Sequence, residues 1–139
     1  MAFDESCIFC KIVHKQAPAS IIYEDDAIMA FLDIRPLNLG HTLVVPKHHY
    51  VDIFDTPTEK LGRIHNITKK VAAAIIKATN ADGISIIQQN GQAAGQDIFH
   101  LHVHVVPRFE GKKLAAFSEL KTVEREKLDA MAEEIKRFL

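Results

Sequence analysis

The sequence predicts an α+β fold, a mostly antiparallel five-stranded sheet carrying two main helices. Short apolar runs of strand length are bounded by turn residues, two longer stretches carry apolar residues at helical spacing, and the two kinds do not alternate as regular βαβ units. The length of 139 residues and the hydrophobic content of 47% suit one domain, spanning 1–139, with a core that needs no disulfide.

In chain order, "SIIYEDDAIMAFLDI" (Ser20 to Ile34) holds two apolar runs around the turn-prone Asp25 and Asp26, the pattern of a hairpin. "GHTLVVPK" (Gly40 to Lys47) follows as a third strand, entered through the loop "RPLNLG". From Pro57 to Thr79 the residues Leu61, Ile64, Ile67, Val71 and Ile75 recur along one helical face. Thr56 is the expected N-cap, Pro57 the first helical residue and Glu59 the capping-box carboxylate. Asn80 and Gly83 mark the exit into a fourth strand, "GISIIQQN", and the Gly-bearing loop "GQAAGQD" leads to a fifth, Ile98 to Val106. A last amphipathic helix, Val123 to Leu139, places Leu128, Met131, Ile135 and Phe138 on one stripe.

Bulk properties exclude some functions. Lys and Arg total 17 against 18 Asp and Glu, so no overall positive field is available to hold duplex nucleic acid or an anionic membrane. The beginning, "MAFDESC", lacks the basic and apolar regions of a secretion signal, and no apolar run approaches the roughly 20 residues of a membrane span; a cytoplasmic protein is expected.

The stretch "HLHVHVVP" carries the chemistry. In an extended strand His100, His102 and His104 share one face, while Phe99, Leu101, Val103 and Val105 face the core. Three histidines in register beside a Gly-rich loop are hard to assign to a solvated face populated by chance. At about 3.3 Å per residue they span about 13 Å, too far for all three to bind one ion. Division of labour fits better: a neutral imidazole attacks phosphorus while a neighbour steadies phosphate charge. The loop just upstream, Asn90 to Asp97, offers backbone N–H groups and the amides of Asn90 and Gln96 to a phosphate.

The two cysteines, Cys7 and Cys10 in "CIFC", admit three readings: a redox pair, two buried thiols spaced by chance, or half of a zinc site. The motif opens the chain instead of following a βαβ strand, which weakens the redox reading. His14, His41, His48, His49 and the histidine row could all supply further ligands, and the residues alone do not choose among them.

"HLHVHVV" fits His-x-His-x-His followed by two apolar residues, and the chain resembles the histidine triad (HIT) family of nucleotide hydrolases and transferases. "CIFCKI", "YEDDAIMAFLDI", "GHTLVVPKHH" and "NGQAAGQDIFH" fit in order, so the resemblance covers Cys7 to Arg108 and is nearest to the small homodimeric Hint-like branch and related bacterial members. The resemblance implies that His102 is the nucleophile, forming a nucleotidyl-histidine intermediate that water releases as a nucleoside monophosphate. It further implies that His104 binds phosphate oxygens, that the His100 carbonyl orients His102, and that His41 supports the row from the adjacent strand. Asp33 would bind ribose hydroxyls; Ile8, Phe9, Phe31 and Ile34 would line the base pocket, for which ordinary core packing is the competing account; Asn90 and Gln96 match phosphate-loop positions. Asp97 departs from the Ser or Thr of many relatives, which puts the leaving-group preference in question. Family members with this cysteine pair complete a structural zinc site with residues that correspond to His49 and His100.

The implied protein is a homodimeric hydrolase acting at the α-phosphate of a purine nucleotide conjugate, adenosine first, with phosphoramidates ahead of dinucleoside polyphosphates. The rivals are a nucleotide-binding scaffold module with incidental activity and a zinc-dependent hydrolase.

Overall fold

The computed structural model describes residues 3–139 of the chain. Its sheet consists of β1 (Ile21–Glu24), β2 (Ile28–Leu32), β3 (Thr42–Pro46), β4 (Gly83–Ile87) and β5 (Val103–Arg108), in the order β1-β2-β3-β5-β4 with every neighbouring pair antiparallel. The α+β architecture read from the sequence is the one observed. Asp25 makes the β1–β2 turn by accepting from the backbone N–H groups of Ala27 and Ile28 at 2.8 Å, so a charged residue ends one strand and starts the next.

Two helices, α2 (Thr58–Thr79) and α3 (Arg125–Lys136), cover one face of the sheet. Alternation along the strands supplies that face: Ile28, Ala30, Leu32, Val44, Val103 and Val105 meet Ile64, Ile67, Val71 and Ile75 of α2 and Leu128, Ala132 and Ile135 of α3. The opposite face, formed by Met29, Phe31, Leu43 and Val45, is covered in part by a short helix, α1 (Ile8–Val13). The sequence reading did not foresee α1. Six residues give too short a window for helical periodicity, and the helix holds because Phe9, Cys10, Ile12 and Val13 are buried against the sheet.

Several boundaries move. Pro57, not Thr56, is the N-cap of α2, and no side chain caps that end. The Thr56 hydroxyl donates instead to the Asp52 carbonyl at 2.7 Å, closing the preceding turn, so the expected capping box with Glu59 does not form. The fourth strand stops at Ile87, α3 starts at Arg125, and Phe138 is exposed beyond its last turn. The fifth strand begins its ladder only at Val103, so alternation does not carry back to Phe99, which lies at the surface and not in the core.

Candidate nucleotide-binding active site

The three histidines lie on the α1 face, opposite Leu101, Val103 and Val105, and are 0%, 4% and 7% exposed. They are therefore enclosed between sheet and α1. Phe9 of α1 sets its ring edge-on to both His100 and His102, with centroids 5.8 and 5.0 Å apart. Burial disfavours the charged imidazolium: His41, His100 and His104 are each pushed down to about 4. His102 is also lowered by burial, against the opposing pull of the His100 carbonyl and the carboxylates of Asp97 and Asp33.

Backbone partners assign the tautomers, because a carbonyl can only accept and an N–H can only donate. His102 Nδ1 lies 2.7 Å from the His100 carbonyl and must carry the proton, leaving a lone pair on Nε2. His100 Nε2 donates to the Pro46 carbonyl at 2.8 Å, leaving its lone pair on Nδ1. The Leu37 N–H donates to His41 Nδ1 at 3.0 Å, so His41 Nε2 carries a proton and donates to His104 Nδ1, 3.0 Å away. His104 then presents Nε2–H as a donor. Four neutral rings thus leave one unprotonated nitrogen on His102 Nε2 and one N–H donor on His104 Nε2.

The same logic separates two clusters of potential metal ligands. Asp33, His41 and His104 bring ligand atoms together, but the proton on His41 Nε2 removes its lone pair from that cluster. Cys7, Cys10, His49 and His100 bring theirs within 4.8 Å of one another, and His100 aims an unprotonated Nδ1 at both sulfurs, 3.4 Å from Cys7 and 3.6 Å from Cys10. His49 Nδ1 lies 3.2 Å from Cys10 Sγ and 3.1 Å from His100 Nδ1. A tetrahedron with metal–sulfur bonds of about 2.3 Å and metal–nitrogen bonds of about 2.0 Å has edges of about 3.3 to 3.8 Å, close to these separations. Burial pushes the Cys10 thiol up to about 11, so its thiolate needs a cation beside it. The donor set fits zinc. Asp4 Oδ2, 4.0 Å from His49 Nε2, stands where a carboxylate orients a ligating imidazole, a residue that sequence reading missed. His14 packs against Phe3 and His48 against Tyr50, away from these ligands.

A cavity of about 680 Å³ opens in front of His102 and His104, of the size and largely apolar lining expected for a small-molecule site. Ile8, Phe9, Phe31, Asp33, Ile34 and Asp97 all line it. Phe9 and Phe31 also belong to the core, but Ile8 and Ile34 are 44% and 46% exposed, which core packing does not explain. Asp33 accepts from the Arg35 N–H at 2.9 Å, and burial raises its pKa.

Asn90 and Gln96 are placed differently from the expectation. The Asn90 carbonyl oxygen accepts from the Ile53 N–H, and the buried Gln96 amide accepts from the Gly91 N–H while donating to the Val51 and Ile98 carbonyls. Both amides brace the loop from behind, and the cavity wall there is Gln89, Gly95 and Asp97. Gly95 takes φ +94°, and a Cβ there would come within 2.6 Å of the Gln89 amide nitrogen, so glycine allows this close approach. Ile12, Leu120 and Arg125 also line the cavity and were not foreseen; no local pattern sets them apart from core or surface residues.

Comparison with known proteins agrees with this geometry. A HIT-like protein of Bartonella henselae involved in cell-cycle regulation superposes with a TM-score of 0.92 at 38% identity, covering 100% of both chains. A zinc-bound histidine triad family protein of Mycobacterium smegmatis gives 0.85 at 40% identity, over 96% of this chain and 92% of that one. An adenylylsulfatase of Arabidopsis thaliana is 40% identical over 115 residues, 83% of this chain and 58% of its own length. The model of the HIT domain matches residues 14–111, and with the histidine row, its supporting histidine and the enclosing sheet in place, the chain belongs to the HIT domain family.

Proposed function

We propose that this protein is a nucleotide hydrolase that cleaves at the α-phosphate of purine nucleoside 5′-phosphate conjugates, adenosine phosphoramidates first. The observation that carries the reading is the bond of His102 Nδ1 to the His100 carbonyl, which leaves Nε2 unprotonated in a buried, neutral ring facing the cavity. Nε2 attacks the phosphorus of the substrate protonated on its amide nitrogen, a P–N bond to the ring forms as the P–N bond to the leaving group breaks, and the leaving group departs as a neutral amine. Water then displaces the imidazole and gives up a proton to solvent, releasing the nucleoside monophosphate and restoring neutral His102. His104 Nε2–H donates to a phosphate oxygen throughout, its tautomer held by His41. Asp33 accepts from the ribose hydroxyls, and Ile8, Phe9, Phe31 and Ile34 receive the base. Asp97, on the wall shared by His102 and His104, adds a negative charge that disfavours polyanionic leaving groups, which ranks dinucleoside polyphosphates second.

Cys7, Cys10, His49 and His100 would hold a zinc ion with all four positions filled by protein, so it supplies a cross-link between α1 and the sheet and no chemistry. Free thiols suit a reducing compartment, and the cytoplasm is the proposed location. A homodimer is part of the reading, and the open edge of β4, where Ile86 is 43% exposed, is the surface that would carry it.

The test is incubation with labelled adenosine phosphoramidate, acid-free quenching and mapping of the adduct. Label on His102 supports the reading. Binding without turnover or adduct sinks it in favour of a binding module, and activity lost on chelation while the fold survives would favour a zinc-dependent hydrolase.

A further inference from the structure

The matched family region ends at residue 111, yet the cavity does not. Leu120 and Arg125 line it from the segment that joins β5 to α3 and from the first residue of α3. That segment is anchored. The Val123 N–H donates to the Ile34 carbonyl at 2.8 Å, tying it to the end of β2, and α3 itself is fastened by the fully buried Leu128 and Ile135. Arg125 Nη1 donates to the Ser20 hydroxyl at 2.9 Å, and that hydroxyl donates in turn to Asp129 Oδ1 at 2.6 Å. Ser20 is 3% exposed and follows Pro18 and Ala19, which also line the cavity.

The sheet order locates these residues relative to the histidines. His104 sits on β5 and Ser20 immediately precedes β1, three strands away, which at about 4.8 Å per strand is about 14 Å. Arg125 therefore marks the end of the cavity remote from the attacking nitrogen. The walls near it, Ala17, Pro18, Ala19 and Leu120, are apolar. A half-buried guanidinium held by a neutral hydroxyl in such surroundings keeps donors available for an acceptor brought by a ligand.

We propose that Leu120 and Arg125 complete the base end of the site, Leu120 packing on the ring and Arg125 donating to the acceptor edge of a purine, so that a segment outside the matched family region sets base affinity. This rests on the nucleotide reading above. Along its Hoogsteen edge a purine presents N7, to which guanine adds the adjacent acceptor O6, a pair that suits the guanidinium fork; a pyrimidine is shorter and lacks N7. The two residues act on binding and not on the chemical step, since they are remote from His102.

The experiment measures kcat and KM of the full-length protein on adenosine, guanosine and cytidine phosphoramidates, with AMP, GMP and CMP affinities by calorimetry, for the parent chain, Leu120→Ala, Arg125→Ala and Arg125→Lys. Arg125→Ala is expected to raise KM and Kd for purines about tenfold, more for guanosine than adenosine, with kcat within about twofold and cytidine unaffected. Leu120→Ala is expected to raise both purine values about threefold. Arg125→Lys, which retains the charge and the packing of the stem, keeps α3 seated and recovers part of the affinity. Unchanged purine KM and Kd in Leu120→Ala and in Arg125→Lys would overturn the inference, as would an equal loss for cytidine. A parent protein that binds purine nucleotides in this Arg125-dependent way but turns none over would sink the hydrolase reading alone; one that binds no nucleotide sinks both.

Discussion

At the scale of single residues the chemistry is a matter of where one proton sits on each ring. His102→Ala removes the attacking nitrogen and little of the cavity wall; turnover is expected to vanish, with AMP affinity retained within about threefold by calorimetry. His41 makes no predicted contact with substrate and acts through its proton on Nε2. Replacing it with Phe frees His104 Nδ1 to carry a proton, reverses the tautomer and withdraws the Nε2–H donor, so kcat is expected to fall about 10²-fold with KM little changed. A His41→Phe variant with parental kcat would show that His104 does not depend on this partner. The row itself was visible in the sequence because an extended strand alternates faces, a rule that needs no tertiary information. Which nitrogen of each ring is free was not visible, since the deciding partners are carbonyls and N–H groups of Pro46, Leu37 and His100 brought up by folding.

At the scale of elements, α1 links the two halves of the site. Its N-cap, Cys7, and its third residue, Cys10, supply half of the proposed zinc ligands, while Phe9 between them packs on His100 and His102. Losing the metal should therefore loosen the helix and the cavity wall that Ile8 and Phe9 supply, while the His100 carbonyl still holds the His102 tautomer and kcat survives. Cys10→Ser, or chelation, is expected to lower Tm by 10 °C or so and to weaken nucleotide binding, with zinc content falling from one equivalent per chain by metal analysis. Protein with no zinc at all and an unchanged Tm would refute the assignment. The edge of β4 carries a separate expectation. Ile86→Asp places a charge on the exposed apolar edge and should convert a dimer to a monomer by light scattering, with the monomer fold intact by circular dichroism. The long helix and the hairpin were legible because their periodicities run for many residues. α1 was not, because six residues become helical only where a sheet receives their apolar side, and the strand ladder at Ile98 to His102 was over-read because pairing partners, not residue types, decide where a strand begins.

For the whole molecule, enclosing four neutral histidines ties stability to pH. His41 and His104, set apart from the proposed metal ligands, titrate near 6.5 in the unfolded chain and at about 4 when folded. Between those values the unfolded state binds more protons. The stability present above pH 6.5 is accordingly lost as pH falls toward 4, at up to about 1.4 kcal/mol per pH unit for each group, and levels off below. Denaturant midpoints across this window would measure it; a flat profile from pH 6.5 to 4.5 would mean that these rings are already open to water. The sequence by itself determined the α+β class, the register of the histidine row and the family, because these depend on periodicities and spacings local to the chain. Only the tertiary structure decided which cysteines and histidines meet, which amides line the cavity and which brace a loop, and that a segment after β5 returns to the cavity. Those outcomes join residues as much as 109 positions apart, and such distances are closed by packing, which no short stretch of sequence records.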